Sequence, residues 1–289
     1  MMTLYDLHSH STASDGTLNP RDLVLRAAGA GVHVLALTDH DTTAGVAEAG
    51  AAAGGCGLTL IPGVEISVSW EGYTVHLVGL NVDPENSRLQ EGLAGLRAFR
   101  EWRAVEIGRR LQQAGIPGAY DGACGFAEGN LVSRTHFARF LVQCGAAKDE
   151  RAVFKRFLIQ GRPGHVPGNW APLEQAVSWI HAAGGQAVIA HPARYSMTRT
   201  KLRRLLKNFV ALDGDAIEVV SGSHSRDDYL TMARHASDFG LRASAGSDFH
   251  TPDNPWIELG CLPSLPDGCR PVWEDWPRPE TGLLRSQLG

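Results

Sequence analysis

Short apolar runs alternate with helical segments along much of this chain, and this alternation limits the folds available to it. Residues 32–38 form a nearly continuous apolar run, as expected for a parallel strand buried on both faces. Further strand-like runs are 4–8, 58–61 with 64–69, 74–80, 186–190, 215–220 and 242–246. Helical patterns occur at 172–183, at 200–210 and after the N-cap residue Asn19. The alternation predicts an α/β protein with a parallel sheet or barrel and right-handed crossovers.

The middle of the chain has a different pattern. Residues 85–160 show almost no strand signal, and their apolar residues recur at helical spacing. We therefore expect a barrel formed by residues 1–84 and 161–289, with a helical insertion at 85–160. The insertion separates two strands that carry candidate metal ligands, so we expect it to act as a lid or substrate subdomain. The tail from residue 261 is rich in Pro and Trp and is expected to form an irregular C-terminal arm.

Histidine is the unusual feature of the composition, with 12 among 289 residues. His8 and His10 end the first predicted strand, where residues two apart point to the same side. Further imidazoles and carboxylates lie in or just after most other predicted strands: Asp15, His40, Glu65, His76, His191, Asp248 and His250. In βα barrels the carboxyl ends of the strands meet on one face. We therefore expect these nine side chains to share one site.

Nine nitrogen and oxygen donors are too many for one cation but enough for two or three that share a bridging carboxylate. A set of imidazoles and carboxylates without cysteine suits Mn, Fe or Zn better than Ca or Cu(I). Clustered divalent ions hold a hydroxide at neutral pH and stabilise the oxygens of an in-line displacement at phosphorus. The alternative, separate core or surface residues, is disfavoured because unpaired buried charges are costly. The residues therefore predict metal-dependent phosphoester hydrolysis.

The composition excludes several other classes of protein. Hydrophobic residues make up 43% of the chain and charged residues 20%, so neither a disordered chain nor a coiled coil is expected. A net charge of −4, without an extended basic channel, indicates a small substrate and no long duplex nucleic acid. We expect no membrane association, because no apolar run approaches the ~20 residues that span a bilayer. Five cysteines without a C-x-x-C pair favour a reduced, cytoplasmic protein, and nothing indicates an oligomeric state.

Five sequence motifs resemble, in their order, those of the PHP (polymerase and histidinol phosphatase) family: DLHSHSTASDGTLNP, LALTDHDT, PGVEIS, AHPARY and AGSDFH. Within this family, residues 134–195 are similar to the branch that holds 3′,5′-nucleotide bisphosphate phosphatases and exonucleases that trim short 5′-phosphorylated RNA. The resemblance implies a distorted (β/α)7 barrel of PHP type with an inserted helical subdomain. It also implies a site for three divalent metal ions.

The resemblance assigns the candidate ligands to three ions. The implied sets are His8, His10, Glu65 and Asp248 for one ion, Glu65, His76 and His191 for a second, and Asp15, His40 and His250 for a third. Asp15 stands where some histidinol phosphatases carry histidine, which favours Mn²⁺ over Zn²⁺. Fe and Zn remain alternatives. The same replacement makes histidinol phosphate a less suitable substrate.

A phosphate substrate needs cationic groups besides the metal ions, and Arg offers bidentate contacts. Arg134 lies at the start of a predicted helix, whose N-terminus also attracts anions, and Arg194 follows the candidate ligand His191. For each arginine the alternative is a solvated surface position. Further candidate phosphate ligands are Ser133, His136 and His224. The basic residues of 194–207 form either a rim that attracts a nucleotide or short RNA or the polar face of a helix, and we favour the latter for the helical part.

The expected function is removal of the 3′-phosphate from a nucleoside 3′,5′-bisphosphate by a metal-bridging hydroxide, which leaves the nucleoside 5′-monophosphate. The nearest alternative is a 5′→3′ exoribonuclease that acts on short 5′-phosphorylated RNA. Histidinol phosphatase is a third possibility, and a non-catalytic PHP module that binds a partner is a fourth. The module is disfavoured because such modules often lose ligands, whereas this chain keeps all nine.

Overall fold

The computed structural model describes residues 3–129 and 131–277, and its centre is a nearly closed sheet. The strands are β1 (Tyr5–Asp6), β2 (Val34–Leu37), β3 (Thr59–Trp70), β4 (Tyr73–Leu80), β5 (Ala171–Pro172), β6 (Gln186–Ile189), β7 (Ala216–Ser221) and β8 (Arg242–Gly246). They pair in the order β1-β2-β3-β4-β6-β7-β8, and β5 pairs with β3. The Leu7 amide donates to the Ala245 carbonyl at 2.9 Å, which brings the first strand against the last. This distorted barrel confirms the predicted fold.

β4 is the strand that departs from a parallel barrel, since it runs antiparallel to both β3 and β6. The reason is the two-residue turn formed by Glu71 and Gly72, whose φ angles are 45° and 82°. Two residues with positive φ give a tight hairpin the twist it needs, so the chain reverses directly after β3. The expectation of a parallel sheet is therefore wrong at this strand, because no crossover helix separates β3 from β4.

Helices surround the sheet. Those described are α1 (Pro20–Gly29), α2 (Val46–Cys56), α3 (Ser87–Gln113), α4 (Ala119–Cys124), α5 (Arg134–Gln143), α6 (Glu150–Val153), α7 (Leu173–Ala182), α8 (Arg199–Val210) and α9 (Arg226–Phe239). α1 begins where the sequence predicts, because the Asn19 side chain accepts a hydrogen bond from the Asp22 amide at 2.8 Å and Pro20 is the first helical residue. The predicted helices at 172–183 and 200–210 correspond to α7 and α8.

α3 connects the barrel to the helices of the predicted insertion. Its first half packs on the barrel through Leu89 and Leu93, in the same apolar core as β4 and α7. Its second half packs through Ile107 and Leu111 against α4, α5 and α6, in a smaller core. This smaller core also includes Val166, which lies beyond the predicted end of the insertion at residue 160. α3 is thus shared between the two cores and fixes one relative to the other.

The described part of the C-terminal arm, residues 261–277, covers the end of the barrel at which β1 and β8 begin. The Val272 amide donates to the Ala243 carbonyl at 2.9 Å, and the Val272 side chain is fully buried. Trp273 stacks on Tyr5 with 4.3 Å between the ring centroids. Residues 278–289 of the predicted arm lie outside the described residues. In the described part of the chain, no helix has the length and apolar character needed to cross a bilayer.

Candidate metal centre and substrate cavity

The nine candidate ligands converge at the other end of the barrel, where the parallel strands end. Three sets of their donor atoms each lie within 4.8 Å of one another. The first group is His8, His10, Glu65 and Asp248, the second is His40, Glu65 and His76, and the third is His10, Asp15, His40 and His250. His191 lies beside the second group, since its Nε2 atom is 3.0 Å from Glu65 Oε1. The structure therefore brings all nine predicted side chains into one cluster.

Glu65 lies at the centre of this cluster and is fully buried. Its Oε1 atom is 2.8 Å from His76 Nδ1 and 3.0 Å from His191 Nε2. Its Oε2 atom is 2.8 Å from His40 Nδ1 and 3.4 Å from His8 Nε2. An isolated β-bridge between His40 and Glu65 fixes the two backbones beside each other. The carboxylate of Glu65 thus touches more than one ligand group, as a bridging ligand must.

The first group surrounds one point with two imidazoles and two carboxylates. His8 Nε2 and His10 Nε2 are 3.1 Å apart, and Asp248 Oδ1 lies 3.5 Å and 3.3 Å from them. Asp248 has a φ of 59°, a conformation that few residues other than glycine adopt and that often marks functional sites. A Cβ atom on Gly246 would come within 2.3 Å of the His8 Cβ, so glycine is what allows β8 to lie this close to His8.

The third group lies next to the inserted helices. His250 Nε2 is 3.3 Å and His40 Nε2 is 3.9 Å from Asp15 Oδ1. The other carboxylate oxygen, Asp15 Oδ2, accepts hydrogen bonds from Ser133 Oγ and Thr135 Oγ1, each at 3.0 Å. Asp15 therefore contacts the barrel ligands through one oxygen and the start of α5 through the other.

The charges of the cluster set its protonation states. Burial alone would raise the pKa of Glu65, but the imidazoles of His40 and His76 hold it well below its ordinary value. The same balance of burial and neighbouring imidazoles lowers the pKa of Asp15. Burial lowers the pKa of His10 to about 3 and that of His76 to about 4, so both rings are neutral at pH 7. Ionised carboxylates and neutral imidazoles are the forms that coordinate metal ions.

The donor set fits divalent metal ions. Glu65 Oε2 and Asp15 Oδ1 are buried, and no donor among the described residues forms a hydrogen bond with either atom. Imidazole nitrogens of His40 and His250 lie 2.8 Å and 3.3 Å from these two oxygens without forming a hydrogen bond, an arrangement in which a cation could be held between the donors. Imidazole and carboxylate ligands without cysteine are typical of first-row divalent ions. The geometry and the donor chemistry of the cluster therefore fit a site for divalent metal ions.

Metal binding is expected to release protons at neutral pH. Burial lowers the pKa of His250, but the charge of Asp15 outweighs it and raises that pKa to about 9, so the metal-free ring is protonated at pH 7. Coordination requires the neutral ring. The apparent Mn²⁺ affinity should therefore rise about tenfold per pH unit from about pH 6 to 8 for each displaced proton, as measured by calorimetry in buffers of different ionisation enthalpy. An affinity that does not change with pH over this range would contradict the prediction.

Glu218 is a buried carboxylate of the site that the sequence pattern did not identify. Its Oε1 atom accepts a hydrogen bond from His8 Nδ1 at 2.6 Å, and its Oε2 atom accepts one from the His191 amide at 2.5 Å. A proton on His8 Nδ1 leaves the Nε2 lone pair for a metal ion, as is usual for carboxylate–histidine–metal arrangements. The available signal was an acidic residue inside the apolar run 216–220 of the predicted strand.

Two aspartates that flank His40 in sequence hold neighbouring segments. Asp39 accepts hydrogen bonds from the Ser11 amide at 2.8 Å and from Ser14 Oγ at 2.6 Å, and thereby orders the loop that leads to Asp15. Asp41 accepts a hydrogen bond from Arg100 Nε at 2.6 Å, which ties α3 to the barrel. Their adjacency to a candidate ligand was the only sequence signal for these roles.

A cavity of about 350 Å³ lies against the cluster. Besides metal-ligand candidates and Arg194, three arginines of the predicted insertion line it: Arg100 and Arg103 from α3 and Arg134 from α5. We call these three residues the arginine wall. Arg103 donates to the Val166 carbonyl at 2.9 Å, and Arg134 lies over the Phe154 ring, 5.6 Å from its centroid.

Two members of the arginine wall lack a compensating anion. Among the described residues, no carboxylate forms an ion pair with Arg103 or Arg134, whereas Arg100 pairs with Asp41. Burial, together with the charges of Arg134 and Arg100, lowers the pKa of Arg103 to about 9. Like charges that are held together in a buried place favour an anionic ligand. The cavity thus combines a metal cluster with a separate cationic surface.

Of the other predicted phosphate ligands, two line the cavity and two do not. Arg194 and Ser133 line the cavity, and Arg194 Nη1 is 2.5 Å from Asp248 Oδ2. His136 and His224 are not among the residues that line it. His136 Nδ1 accepts a hydrogen bond from the Ser133 amide and so caps α5. His224 Nε2 accepts one from the Ala193 amide at 3.3 Å and lies behind the segment that carries Arg194. Both contacts stabilise neighbours of the cavity.

Three basic side chains of α8 are paired with acidic residues. Lys201 and Arg204 both contact Glu71, and Arg203 Nη1 is 2.6 Å from Asp238 Oδ2. These contacts compensate the positive charges and support the interpretation of this stretch as the polar face of a helix. The arginine wall is a better candidate for anion binding.

Comparison with known proteins identifies the family of the chain. Residues 6–104 match the PHP domain. The chain is 50% identical over 275 residues to a 3′,5′-nucleoside bisphosphate phosphatase of Chromobacterium violaceum, an alignment that covers 95% of this chain and 96% of that protein. It is 48% identical over 284 residues to the 5′-3′ exoribonuclease Rnm of Escherichia coli, with 98% and 97% covered.

A solved structure is similar to this chain over nearly its whole length. It comes from Chromobacterium violaceum and is described as an amidohydrolase with bound sulfate and no metal. It is 51% identical to this chain and superposes with a TM-score of 0.91, over 94% of this chain and 95% of that one. The resemblance that the five motifs indicated is thereby confirmed. The chain belongs to the PHP domain family.

Proposed function

We propose that this chain is a metal-dependent phosphomonoesterase that removes the 3′-phosphate from nucleoside 3′,5′-bisphosphates and leaves the nucleoside 5′-monophosphate. The observation that carries the proposal is a cavity with two cationic surfaces, the metal cluster and the arginine wall. A bisphosphate can place its reacting phosphate at the cluster and its other phosphate at the arginine wall. A monophosphate uses only one of the two surfaces. The name of the phosphatase relative, which is 50% identical, supports this substrate class.

The chain's own residues bind and orient the substrate. When bound, the divalent ions supply the hydrolytic nucleophile and neutralise charge on the phosphoryl oxygens. Arg194, held beside the cluster by Asp248, stabilises the negative charge of the reacting phosphoryl group. Arg134 and Arg103 bind the phosphate that does not react. Trp170, which lines the same cavity, offers apolar surface to the nucleoside.

We propose three divalent ions, because the donor atoms fall into three overlapping groups. Mn²⁺ is favoured, with Fe and Zn as alternatives, since every group contains at least one carboxylate oxygen from Asp15, Glu65 or Asp248. His191 completes the second group. A cytoplasmic location is proposed as well, because the structure has no disulfide among its five cysteines.

The insertion is proposed to act as a lid or substrate subdomain. All three members of the arginine wall come from α3 and α5, whereas the candidate metal ligands come from the barrel. The second phosphate of the substrate would therefore contact the insertion, and the first would contact the barrel. This division makes the helices responsible for substrate selection and the barrel responsible for hydrolysis.

A second candidate function is 5′→3′ exonuclease activity on short 5′-phosphorylated RNA. The observation that favours it is 48% identity to an exoribonuclease over nearly the whole chain. The chemistry is compatible with the same cavity, because a terminal 5′-phosphate at the arginine wall would place the next phosphate of the chain at the cluster. The two substrates then differ only in whether the 3′-phosphate carries another nucleotide. Histidinol phosphate has one phosphate and would leave the arginine wall unused.

The proposed function is tested by phosphate release from adenosine 3′,5′-bisphosphate with Mn²⁺, with the nucleotide product identified. We expect 5′-AMP as the product and a kcat/KM at least about tenfold higher than for 3′-AMP, which lacks the second phosphate. A 5′-phosphorylated pentanucleotide and histidinol phosphate are assayed in parallel. Equal rates on 3′-AMP and the bisphosphate would contradict the role of the second phosphate. Release of mononucleotides from the RNA alone would transfer the proposal to the exonuclease.

A further inference from the structure

We propose that the inserted helices complete the third ligand group: the hydroxyls of Thr135 and Ser133 position the Asp15 carboxylate, so that metal binding there and phosphate binding at Arg134 strengthen each other. This inference rests on the proposed function for the roles of Asp15 and Arg134. It goes beyond that function because it makes the insertion part of the metal centre. Thr135 and Ser133 are positioning residues in this scheme, since they act through Asp15.

The contacts between Asp15 and α5 are the basis of the inference. Ser133 Oγ and Thr135 Oγ1 both donate to Asp15 Oδ2 at 3.0 Å, and Arg139 Nη2 donates to the Asp15 carbonyl at 2.8 Å. Asp15 Oδ1 accepts no hydrogen bond from the described residues and lies 3.3 Å from His250 Nε2. Two donors on one oxygen fix the rotation of the carboxylate. The other oxygen is thereby held toward the third group.

The barrel contacts this carboxylate through His250 and His40 at Oδ1, whereas the side-chain hydrogen bonds at Oδ2 come from Ser133 and Thr135. Asp39 holds the backbone of the preceding loop through Ser11 and Ser14, but it makes no hydrogen bond with the Asp15 side chain. Without α5, the loop would keep its place while the Asp15 carboxylate could rotate about its side-chain bonds. The contribution of α5 is therefore to orientation, and it should affect the third group more than the first.

Arg134 connects this contact to the substrate. It is the first residue of α5 and lies between Ser133 and Thr135 in the chain, and it lines the cavity. The Ser133 side chain caps the Thr135 amide, so this turn is held together. A phosphate bound to Arg134 therefore favours the position of α5 in which the two hydroxyls reach Asp15. By linkage, a metal ion at the third group favours phosphate binding by the same factor.

The test compares Thr135→Val with a matched control, Thr200→Val. Thr200 is the second residue of α8, as Thr135 is of α5, but it is exposed and makes no hydrogen bond with Asp15. Mn²⁺ binding to the metal-free full-length proteins is measured by calorimetry, first with the metal alone and then with 5′-AMP present. Thr135→Ser, which restores the hydroxyl, is measured in the same way.

We expect Thr135→Val to weaken one bound Mn²⁺ on the order of 10- to 100-fold, as is typical when a contact behind a metal ligand is lost. The other ions, and all ions of Thr200→Val, should keep their affinity. Thr135→Ser should restore binding. In the wild type, 5′-AMP should tighten the same Mn²⁺, and Thr135→Val should reduce this effect.

Two results would overturn the inference. If Thr135→Val bound Mn²⁺ as Thr200→Val does, the hydroxyl would not position a metal ligand. If 5′-AMP left Mn²⁺ binding unchanged in the wild type, the coupling would be absent. Failure of the proposed function is a separate result, because it would appear as a wild-type protein that binds Mn²⁺ but does not hydrolyse the bisphosphate.

Discussion

Glu65→Gln is expected to lower kcat/KM for adenosine 3′,5′-bisphosphate by at least about 10³-fold and to remove most of the bound metal. The substitution keeps the size of the side chain but removes the negative charge at the centre of the cluster. In the wild type, both Glu65 oxygens lie within 3.0 Å of imidazole nitrogens from His40, His76 and His191. A neutral amide in that place cannot bridge divalent ions as a carboxylate does.

The measurement for Glu65→Gln pairs steady-state kinetics with elemental analysis of the purified protein. Glu48→Gln is the control, because Glu48 is exposed on α2, belongs to none of the three ligand groups and does not line the cavity. The control should retain the metal content and activity of the wild type. If Glu65→Gln kept its full metal content and its activity, Glu65 would not be a bridging ligand and the assignment of the ligand groups would have to change.

Arg134→Ala is expected to raise KM for the bisphosphate on the order of 100-fold, with little change in kcat. The loss corresponds to one charge-assisted, bidentate contact with the phosphate that does not react. Because Arg134 has no carboxylate partner among the described residues, its removal leaves no unpaired acidic group behind. The same substitution should hardly affect KM for 3′-AMP, which has nothing to place at the arginine wall.

Comparison of the two substrates shows which phosphate Arg134 contacts, because only the bisphosphate has a second phosphate. Arg151→Ala is the control, since Arg151 lies exposed on α6 within the insertion and does not line the cavity. Both variants should contain as much metal as the wild type. A KM that rose equally for 3′-AMP and for the bisphosphate would show that Arg134 contacts the reacting phosphate, and the arginine wall would lose its proposed role.

Elements with strong local signals could be predicted closely from the sequence. α1 is one example, because its start depends on Asn19 and Pro20 alone. β1 is a contrary example, since the run 4–8 yields regular pairing only for Tyr5–Asp6. Beyond Asp6 regular strand pairing ends, and the chain pairs through an isolated bridge between Ser9 and Phe249. Such a bridge depends on a partner 240 positions away, which an apolar pattern does not encode.

The antiparallel direction of β4 could not be predicted from the apolar pattern of the sequence. An apolar run has the same period whether its neighbours are parallel or antiparallel. The informative residues were Glu71 and Gly72 in the turn, and only their φ angles show that the chain reverses there. In sequence, the glycine alone indicated a turn.

The candidate ligands were visible because each follows or interrupts an apolar strand, whereas part of the substrate cavity was not. Arg100 and Arg103 belong to a long helix, in which arginines usually face solvent. Here both guanidinium groups lie over Trp170, at 5.1 Å and 5.3 Å from the ring centroid. Trp170 comes from a distant part of the chain, so their burial follows from packing between elements and from no pattern within α3.

The reversal of β4 also accounts for the position of Arg100 and Arg103 along α3. Because β4 runs antiparallel to β3, it ends at Leu80, at the end of the barrel away from the metal cluster. α3 must then run back toward the end of the barrel that holds the metal cluster, to bring Arg100 and Arg103 to the cavity. Arg100 and Arg103 are the 14th and 17th residues of α3, so the helix carries them about 20 to 25 Å from its start. The helix fixes both how far along its axis the two arginines lie and which way they point. Each residue added or deleted before them would turn the arginines by about 100° around the helix axis and away from the substrate.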